Sequence, residues 1–368
     1  MRRPRLFVMP RKPRPLVASG ILRAPPRQTG GGRERESLVR LAREAMDRGS
    51  RSFALASRLF DKGTRERAWL LYAWCRRCDD IADGQDHGGT PKLDESGGRS
   101  RIEAIRVLTR RALEGQPTAE VAFDALGQVA TEAGLTEDMA GDVIDGFALD
   151  AEGWRPRSEG DLMRYCFHVA GAVGVMAARA MGVPAEDHDT LDRACDLGLF
   201  FQLVNIARDA SEDDAAGRCY LPMEWLAEAD IPPGEHMRPE FREQLVALVA
   251  RLLDLADAHE AAARFGANRL PFRQRWAVLA AAGIYAATGR KLRRCGPAAW
   301  DHRLRVGYLT RLACAVRGLF DAFKSAPEPE PMPRWTRGEL MIEARMHAPI
   351  PKVEIEPLPD DEPSDRYD

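Results

Sequence analysis

Two pairs of aspartates, far apart along the chain, share the same four-residue spacing. Asp79 and Asp83 form the first pair, and Asp209 and Asp213 form the second, with Asn205 one helical turn before it. On a helix, a step of four places two side chains on one face, about 6 Å apart along the axis. Two such faces turned towards each other would surround a cleft with hard oxygen ligands, which suit Mg²⁺ and the substrate phosphates that often complete its shell. The spacing therefore predicts a magnesium site that handles a diphosphate.

The segment that carries the first pair has two distinct faces if residues 64–83 form a helix. One face is apolar and consists of Leu71, Trp74, Cys75, Cys78 and Ile81. The other face carries Tyr72, Arg76 and the aspartate pair. The apolar face is expected to pack into a helical bundle. A solvated surface is one interpretation of the polar face, but polar side chains in so apolar a segment are more typical of a cleft inside a bundle.

The second pair interrupts a segment that is apolar on most sides. One polar line runs along the helix predicted over 186–212 and just beyond it, through Gln202, Asn205, Asp209 and Asp213. A buried aspartate or asparagine without a partner is costly. Because a bound metal ion satisfies such groups, the two polar lines together favour a metal site more strongly than either line alone.

Helical periodicity extends over almost the whole chain between two terminal segments. Residues 1–35 are Pro- and Gly-rich with ten basic residues and one acid, and residues 326–368 are Pro-rich and acidic. Both compositions are typical of disordered tails outside a fold. The alternatives for residues 1–35 are a transit-like extension, a membrane-surface arm or a misassigned start codon. No segment between them shows the alternation of apolar and polar residues that is typical of a β-strand. The prediction is one all-α domain over 36–325, with helices at 36–48, 64–83, 100–114, 117–134, 137–150, 159–181, 186–212, 221–228, 238–264, 271–294 and 303–324.

The bulk composition excludes several classes of protein. A net charge of −2 over 368 residues predicts no general attraction to nucleic acid. Seven cysteines without a secretory signal favour a reducing cytosol. Cys75 and Cys78 fall on the apolar face and lack a second ligand pair, so neither zinc nor redox chemistry is expected of them. No apolar run reaches the ~18 residues of a membrane span, so a cytoplasmic or membrane-surface location is predicted.

Five motifs, in order along the chain, resemble those of the phytoene synthases. They are YAWCRRCDDIAD at 72–83, YCFHVAGAVG at 165–174, LDRACDLGLFFQLVNIARD at 191–209, GRCYLP at 217–222 and AWDHR at 299–303. The resemblance covers the chain from about Ser50 to about Phe323. It extends to squalene and dehydrosqualene synthases, which are also head-to-head prenyl synthases. The fold it implies is the isoprenoid synthase fold, an all-α, single-domain helical bundle with a central cleft.

The resemblance also implies a reaction. Two molecules of geranylgeranyl diphosphate would be joined head to head through prephytoene diphosphate into phytoene, with release of two diphosphates, in the first committed step of carotenoid biosynthesis. Mg²⁺ is the expected cofactor, NADPH is not expected, and whether Mn²⁺ replaces Mg²⁺ stays open. The expected partners are geranylgeranyl diphosphate, the inner membrane as a peripheral contact, and other carotenoid-pathway enzymes.

Particular residues take roles by the same resemblance. The implied metal ligands are Asp79, Asp83, Asn205, Asp209 and Asp213. The four aspartates count as catalytic together with Tyr72 and Tyr165. The implied substrate-binding residues are Arg76, Arg208, Arg303, Phe53, Gly171 and Gln202. The planar guanidinium fork suits the binding of phosphate oxygens. For Gly171, close packing of two helices by small residues is the alternative.

Two other functions are weighed as alternatives. A squalene or dehydrosqualene synthase would use farnesyl diphosphate on the same fold, and squalene formation would also need NADPH. A non-catalytic helical protein would instead use its acidic faces to bind cations or partner helices. The chain length of the accepted substrate distinguishes a phytoene synthase from the first alternative. Mg²⁺-dependent release of diphosphate distinguishes it from the second.

Overall fold

The computed structural model describes residues 27–49, 56–84, 95–324 and 330–347. Every regular element in these ranges is a helix. The helices are α1 (Arg35–Gly49), α2 (Lys62–Ala82), α3 (Glu95–Leu113), α4 (Val121–Ala133), α5 (Glu137–Ala151), α6 (Glu159–Cys166), α7 (Ala172–Ala180), α8 (His188–Ala215), α9 (Met223–Glu228), α10 (Arg242–Gly266), α11 (Phe272–Cys295), α12 (Tyr308–Asp321) and α13 (Arg337–Met346). Short 3₁₀ helices lie at Thr29–Gly32, Pro239–Phe241, Ala267–Arg269 and Gly296–Trp300. The prediction of an all-α fold is confirmed.

Helix α8 lies at the centre of the bundle. It packs against α7, α10 and α11, and its Phe200 is almost fully buried. The predicted apolar face of α2 also packs inward, because Trp74 and Cys78 are fully buried. No helix in the described ranges has both the length and the apolar character needed to cross a membrane.

The three helices that carry most of the predicted site residues begin at side-chain caps. A capping oxygen accepts one of the backbone N–H groups that a helix N-terminus leaves without a partner. The accepting side chains are those of Asp61 for α2, Ser158 for α6 and Asp187 for α8. These caps fix where each helix starts and therefore which side chains reach the cleft.

Helices α6 and α7 are separated by one turn of π-helix at Phe167–Gly171. The sequence predicted one uninterrupted helix over 159–181, so this wide turn is a departure from it. Within the turn, the His168 Nδ1 atom lies 2.7 Å from the carbonyl oxygen of Asp142 on α5. Single π turns often occur at functional sites. This one begins two residues after Tyr165.

The predicted boundary of the domain at residue 325 is wrong for residues 330–347. Thr336 and Glu339 form a capping box at the start of α13, and Leu340 is fully buried. The Arg337 Nε atom lies 2.6 Å from Asp192 Oδ1 on α8. Pro-rich flanks hid this short amphipathic helix, although Thr–x–x–Glu is a recognisable start signal. Residues 348–368 lie outside the described ranges, as do residues 1–26.

Candidate functional site

Both aspartate pairs lie at the C-terminal ends of their helices. Asp79 is in the last turn of α2, Asp83 is the residue that ends it, and Asp213 is in the last turn of α8. The C-terminal end of a helix carries partial negative charge, which disfavours carboxylates and favours cations. Carboxylates at two such ends therefore need a positive partner.

A Schellman turn at the end of α8 brings that partner between the pairs. Gly217 adopts a left-handed φ of 73°, and the Arg218 N–H donates to the Asp213 carbonyl oxygen at 2.8 Å. A glycine adopts this conformation without steric cost. The reversed chain places Arg218 Nη2 3.3 Å from Asp83 Oδ1. The charge of Arg218 also acts on Asp213, where it opposes the rise in pKa that burial and the charge of Asp209 cause. One guanidinium therefore interacts with both pairs, so the two helix ends meet at one cleft.

Burial and a like charge raise the pKa of one carboxyl in each pair. Burial, followed by the charge of Asp83, raises the pKa of Asp79 to about 6. Burial, followed by the charge of Asp209, raises the pKa of Asp213 to about 7. Burial and like charge both penalise the ionised form of a carboxyl. The cleft thus has a deficit of positive charge at neutral pH.

A fifth carboxyl, Asp150 at the end of α5, lies between the pairs. Its charge raises the pKa of both Asp79 and Asp213. The Tyr165 hydroxyl donates to it at 3.1 Å, and the Tyr220 hydroxyl at 2.8 Å. Burial raises the pKa of Asp150. Asp150 therefore anchors two phenols at the edge of the cleft.

The two phenols that donate to Asp150 belong to an aromatic stack. The rings of Tyr165 and Tyr220 are stacked with centroids 4.8 Å apart, and Trp154 stacks on the other side of Tyr165 at 5.6 Å. Burial and the charge of Asp150 hold the pKa of Tyr165 well above its usual value, so its hydroxyl keeps its proton. The sequence predicted Tyr165 but missed Asp150 and Tyr220. Tyr220 stands in the GRCYLP motif, whereas Asp150 has no spacing that links it to either pair.

The three predicted arginines lie beside the acidic groups. Arg76 contacts Asp79 at 2.8 Å, and Arg208 Nε donates to Asp209 Oδ1 at 2.7 Å. Arg303 Nε is 3.7 Å from Glu212 Oε1. The indole of Trp300 donates to a carbonyl oxygen of α8, that of Ala207, at 2.9 Å and so attaches the Arg303 segment to this helix.

Tyr72 is half-buried on the same face of α2 as Arg76. Burial is the main cause that raises its pKa, so its phenol also keeps its proton. Its hydroxyl approaches the end of α1 so closely that a Cβ atom on Gly49 would overlap it. The structure thus brings Tyr72 to the side of the cleft that carries the first pair.

Asn205 offers an oxygen that no hydrogen-bond donor in the described ranges reaches. Its Oδ1 atom is buried and has no partner. Its side-chain amide interacts instead with Tyr285, whose ring stacks on Phe201 at 4.0 Å. An unsatisfied buried acceptor is costly, and a cation would satisfy it. Gln202, one turn earlier, is half-buried.

The donor set fits a hard divalent cation, although the carboxylates are not gathered around one point. No group of three or more His, Cys, Asp or Glu side chains within the described ranges is close enough to hold one ion. Asp79, Asp83 and Asp209 each have a guanidinium partner. Carboxylate and amide oxygens are nevertheless the ligands that Mg²⁺ prefers. The prediction of a metal cage stays a prediction.

Two predicted substrate-binding residues are not placed in the cleft. Phe53 lies outside the described ranges. Gly171 faces α8, where a Cβ atom on it would lie 2.9 Å from Cys195 Sγ and 3.3 Å from Phe167. The space beside Gly171 is therefore filled by side chains. This favours the alternative of close packing between two helices, and the assignment of Gly171 to the prenyl chains stays a prediction.

Comparison with solved structures identifies the fold. A dehydrosqualene synthase in complex with a ligand matches with a TM-score of 0.68 and 24% identity, over 77% of this chain and 96% of that one. A squalene synthase from Alicyclobacillus acidocaldarius matches with a TM-score of 0.61 and 20% identity, over 71% and 95% of the two chains. The fold is the all-α isoprenoid synthase fold.

Sequence comparison narrows this class to a family. The profile of squalene/phytoene synthases matches residues 46–310. A phytoene synthase from Pseudescherichia vulneris is 41% identical over 304 residues, which are 82% of this chain and 98% of that protein. A 15-cis-phytoene synthase from Pantoea ananas is 40% identical over 307 residues, with shares of 82% and 98%. The chain belongs to the squalene/phytoene synthase family, and it is a prenyltransferase.

Proposed function

We propose that the protein condenses two molecules of geranylgeranyl diphosphate head to head into phytoene. The reaction passes through prephytoene diphosphate and releases two diphosphates, as the first committed step of carotenoid biosynthesis. Relatives that are about 40% identical over 82% of the chain and carry the name phytoene synthase support this choice. The observation that carries it is the ion pair between Arg218, which follows the second aspartate pair at the end of α8, and Asp83 of the first pair.

We propose Mg²⁺ as the cofactor, with Asp79, Asp83, Asn205, Asp209 and Asp213 as its ligands. Three features of the site support this choice: the raised pKa values of Asp79 and Asp213, their position at helix C-termini, and the unpartnered Asn205 oxygen. Bound Mg²⁺ neutralises the charge that develops on a departing diphosphate. We do not expect NADPH to be required.

The arginines of the site bind and orient the diphosphate groups. Arg76 and Arg208 donate to Asp79 and Asp209, and the same guanidinium groups would donate to the phosphate oxygens of a bound diphosphate. Arg303 is largely exposed and reaches the same end of α8, close to Glu212. Charge-assisted, bidentate contacts of this kind fix a phosphate in one orientation.

The phenols bind next to the reacting carbons. The Tyr165 hydroxyl keeps its proton and donates a hydrogen bond to Asp150, which fixes the orientation of the phenol. The ring of Tyr72, which is only half-buried, presents a π face that stabilises a passing carbocation. The buried apolar side chains of α8, such as Phe200 and Leu203, keep water away from that cation.

The experiment is incubation of the purified protein with Mg²⁺ and no reductant. We expect a forty-carbon hydrocarbon from geranylgeranyl diphosphate and two diphosphates for each product. A thirty-carbon product from farnesyl diphosphate, with none from the longer substrate, would instead assign the chain to the squalene or dehydrosqualene synthases. Replacing Mg²⁺ with Mn²⁺ in the same assay tests whether Mn²⁺ also supports the reaction.

We also propose a peripheral position on the cytoplasmic face of the inner membrane, near the enzymes that supply geranylgeranyl diphosphate and consume phytoene. The expected product is apolar and must pass into a bilayer. The basic segment 1–35 is one candidate for the contact, because Lys and Arg side chains are attracted to anionic lipid.

A further inference from the structure

Helix α12 is amphipathic in the reverse sense of an ordinary surface helix. Its small residues face the bundle: a Cβ atom on Gly318 would lie 2.8 Å from the backbone nitrogen of Ala280 on α11. Its large apolar residues face outward, with Leu309 at 78%, Phe320 at 63% and Phe323, just beyond the helix, at 74% exposure. A surface helix normally turns such residues towards the core.

The exposed face is continuous, and we call it the α12 face. It consists of Tyr308, Leu309, Leu312, Val316, Phe320 and Phe323. Phe272 at the start of α11 extends it, because its ring lies 4.8 Å from that of Phe323. Contiguous apolar patches of this kind mark sites of interaction with a protein or a membrane.

The segment that carries the α12 face is rich in basic residues, and Arg317 and Lys324 border the face itself. Residues 264–324 contain thirteen Arg or Lys and two acids, Asp301 and Asp321, in a chain whose net charge is −2. Asp321 is already shared by Lys324, Arg317 and Arg264 at 2.5, 3.7 and 4.0 Å. An apolar face with a basic border is typical of a helix that lies in the interface of an anionic bilayer. A second copy of this chain fits less well, because a symmetric contact would bring two basic borders together.

We propose that the α12 face docks the protein onto an anionic lipid bilayer. The helix would lie parallel to the surface, over ~21 Å at 1.5 Å per residue. Docking there brings the bilayer close to the site. Helix α12 packs on α11, and α11 carries Tyr285, which interacts with Asn205. This inference rests on the proposed function, since an apolar product gives the docking its purpose.

The test is co-sedimentation of the full chain with vesicles of phosphatidylcholine, with and without phosphatidylglycerol. The double variant Leu309→Gln/Phe320→Gln removes apolar area without touching the core. We expect its partition onto mixed vesicles to fall at least about tenfold. The variant Arg317→Glu/Lys324→Glu should lose binding to mixed vesicles but not the residual binding to pure phosphatidylcholine. A matched control, Val107→Gln/Met346→Gln, alters two exposed apolar residues elsewhere and should bind like the wild type.

Three results would overturn the docking proposal. The first is unchanged vesicle binding by the Leu309/Phe320 variant, which would leave the contact to another segment such as residues 1–35. The second is a wild-type dimer in light scattering that this variant converts to a monomer. The third is binding that appears only after deletion of residues 348–368, which would assign the face to that acidic segment. Sedimentation requires no turnover, so a chain that binds vesicles but forms no phytoene refutes the proposed function alone.

Discussion

Replacing Asp213 with asparagine should stabilise the metal-free protein at pH 8 while it abolishes activity. The pKa of Asp213 is raised from 3.8 to about 7, mainly by burial and by Asp209. The folded state therefore holds a proton that the unfolded state releases. This contribution to stability is complete below pH 3.8 and is lost as the pH rises to about 7. The Asp213→Asn variant has no such proton to lose.

The size of this change in stability follows from the difference between the pKa values of Asp213 in the folded and unfolded states. About three pH units correspond to about 4 kcal/mol at most, at 1.36 kcal/mol per unit. Asp213 is partly exposed, so solvent screening reduces this to about 1–2 kcal/mol. We expect the variant to gain this amount over the wild type at pH 8, and little at pH 4.

The assay is urea unfolding between pH 4 and pH 8 in the presence of a chelator. Asp254→Asn, which changes a largely exposed carboxyl on α10, serves as the control and should follow the wild-type curve. Addition of Mg²⁺ should stabilise the wild type at pH 8 but not the Asp213→Asn variant. If the free energy of unfolding changed with pH in the same way for the wild type and the Asp213→Asn variant, the raised pKa of Asp213 would be refuted.

Three further predictions concern the site and the C-terminal helix. Asp79→Ala and Asp209→Ala should each lower diphosphate release at least about a thousandfold, because charge on the leaving group is no longer neutralised. Arg218→Gln removes the positive charge shared by both pairs, and kcat/KM should fall about ten- to a hundredfold, as for loss of a charged hydrogen bond. Leu340→Ala should lower the free energy of unfolding by about 2–5 kcal/mol in a denaturant titration, because Leu340 is fully buried.

Each of these predictions has a matched comparison. Arg238→Gln changes an exposed arginine and should leave kcat/KM unchanged. Ile342→Ala alters an exposed residue of the same helix as Leu340 and should cost little stability. Equal losses for Leu340→Ala and Ile342→Ala would contradict the packing of α13. Full activity of Asp79→Ala and Asp209→Ala would contradict the assignment of the cleft.

The helices and the two pairs could be predicted because their signals are local. Each of the eleven predicted segments overlaps an observed helix, and the four-residue steps place Asp79 and Asp209 from spacing alone. Asp150 could not be found in this way, since its importance comes from contacts with Tyr165 and Tyr220 on distant segments. The packing of Gly171 against Cys195 likewise depends on how two helices cross.

Helix α13 was missed for a different reason. Its ten residues lie between proline-rich stretches, and composition averaged over such a window resembles a tail. The buried Leu340 and the Thr336–Glu339 capping box are single-residue features that an average removes. The π turn after Tyr165 was missed because helical periodicity continues through it.

The position of α13 has a consequence for the order in which the protein is completed during synthesis. Trp335 and Arg334 both bind Glu159, the first residue of α6, at 3.0 and 3.1 Å, across a separation of more than 170 residues. Helix α6 carries Tyr165, so this side of the cleft acquires its cover only after the ribosome has released residues 330–347. A nascent chain that stops short of them exposes the buried surface around Leu340 and Glu159, and transiently exposed surface of this kind is prone to aggregate. The last described helix thus completes the packing of α6 and α8 only late in synthesis.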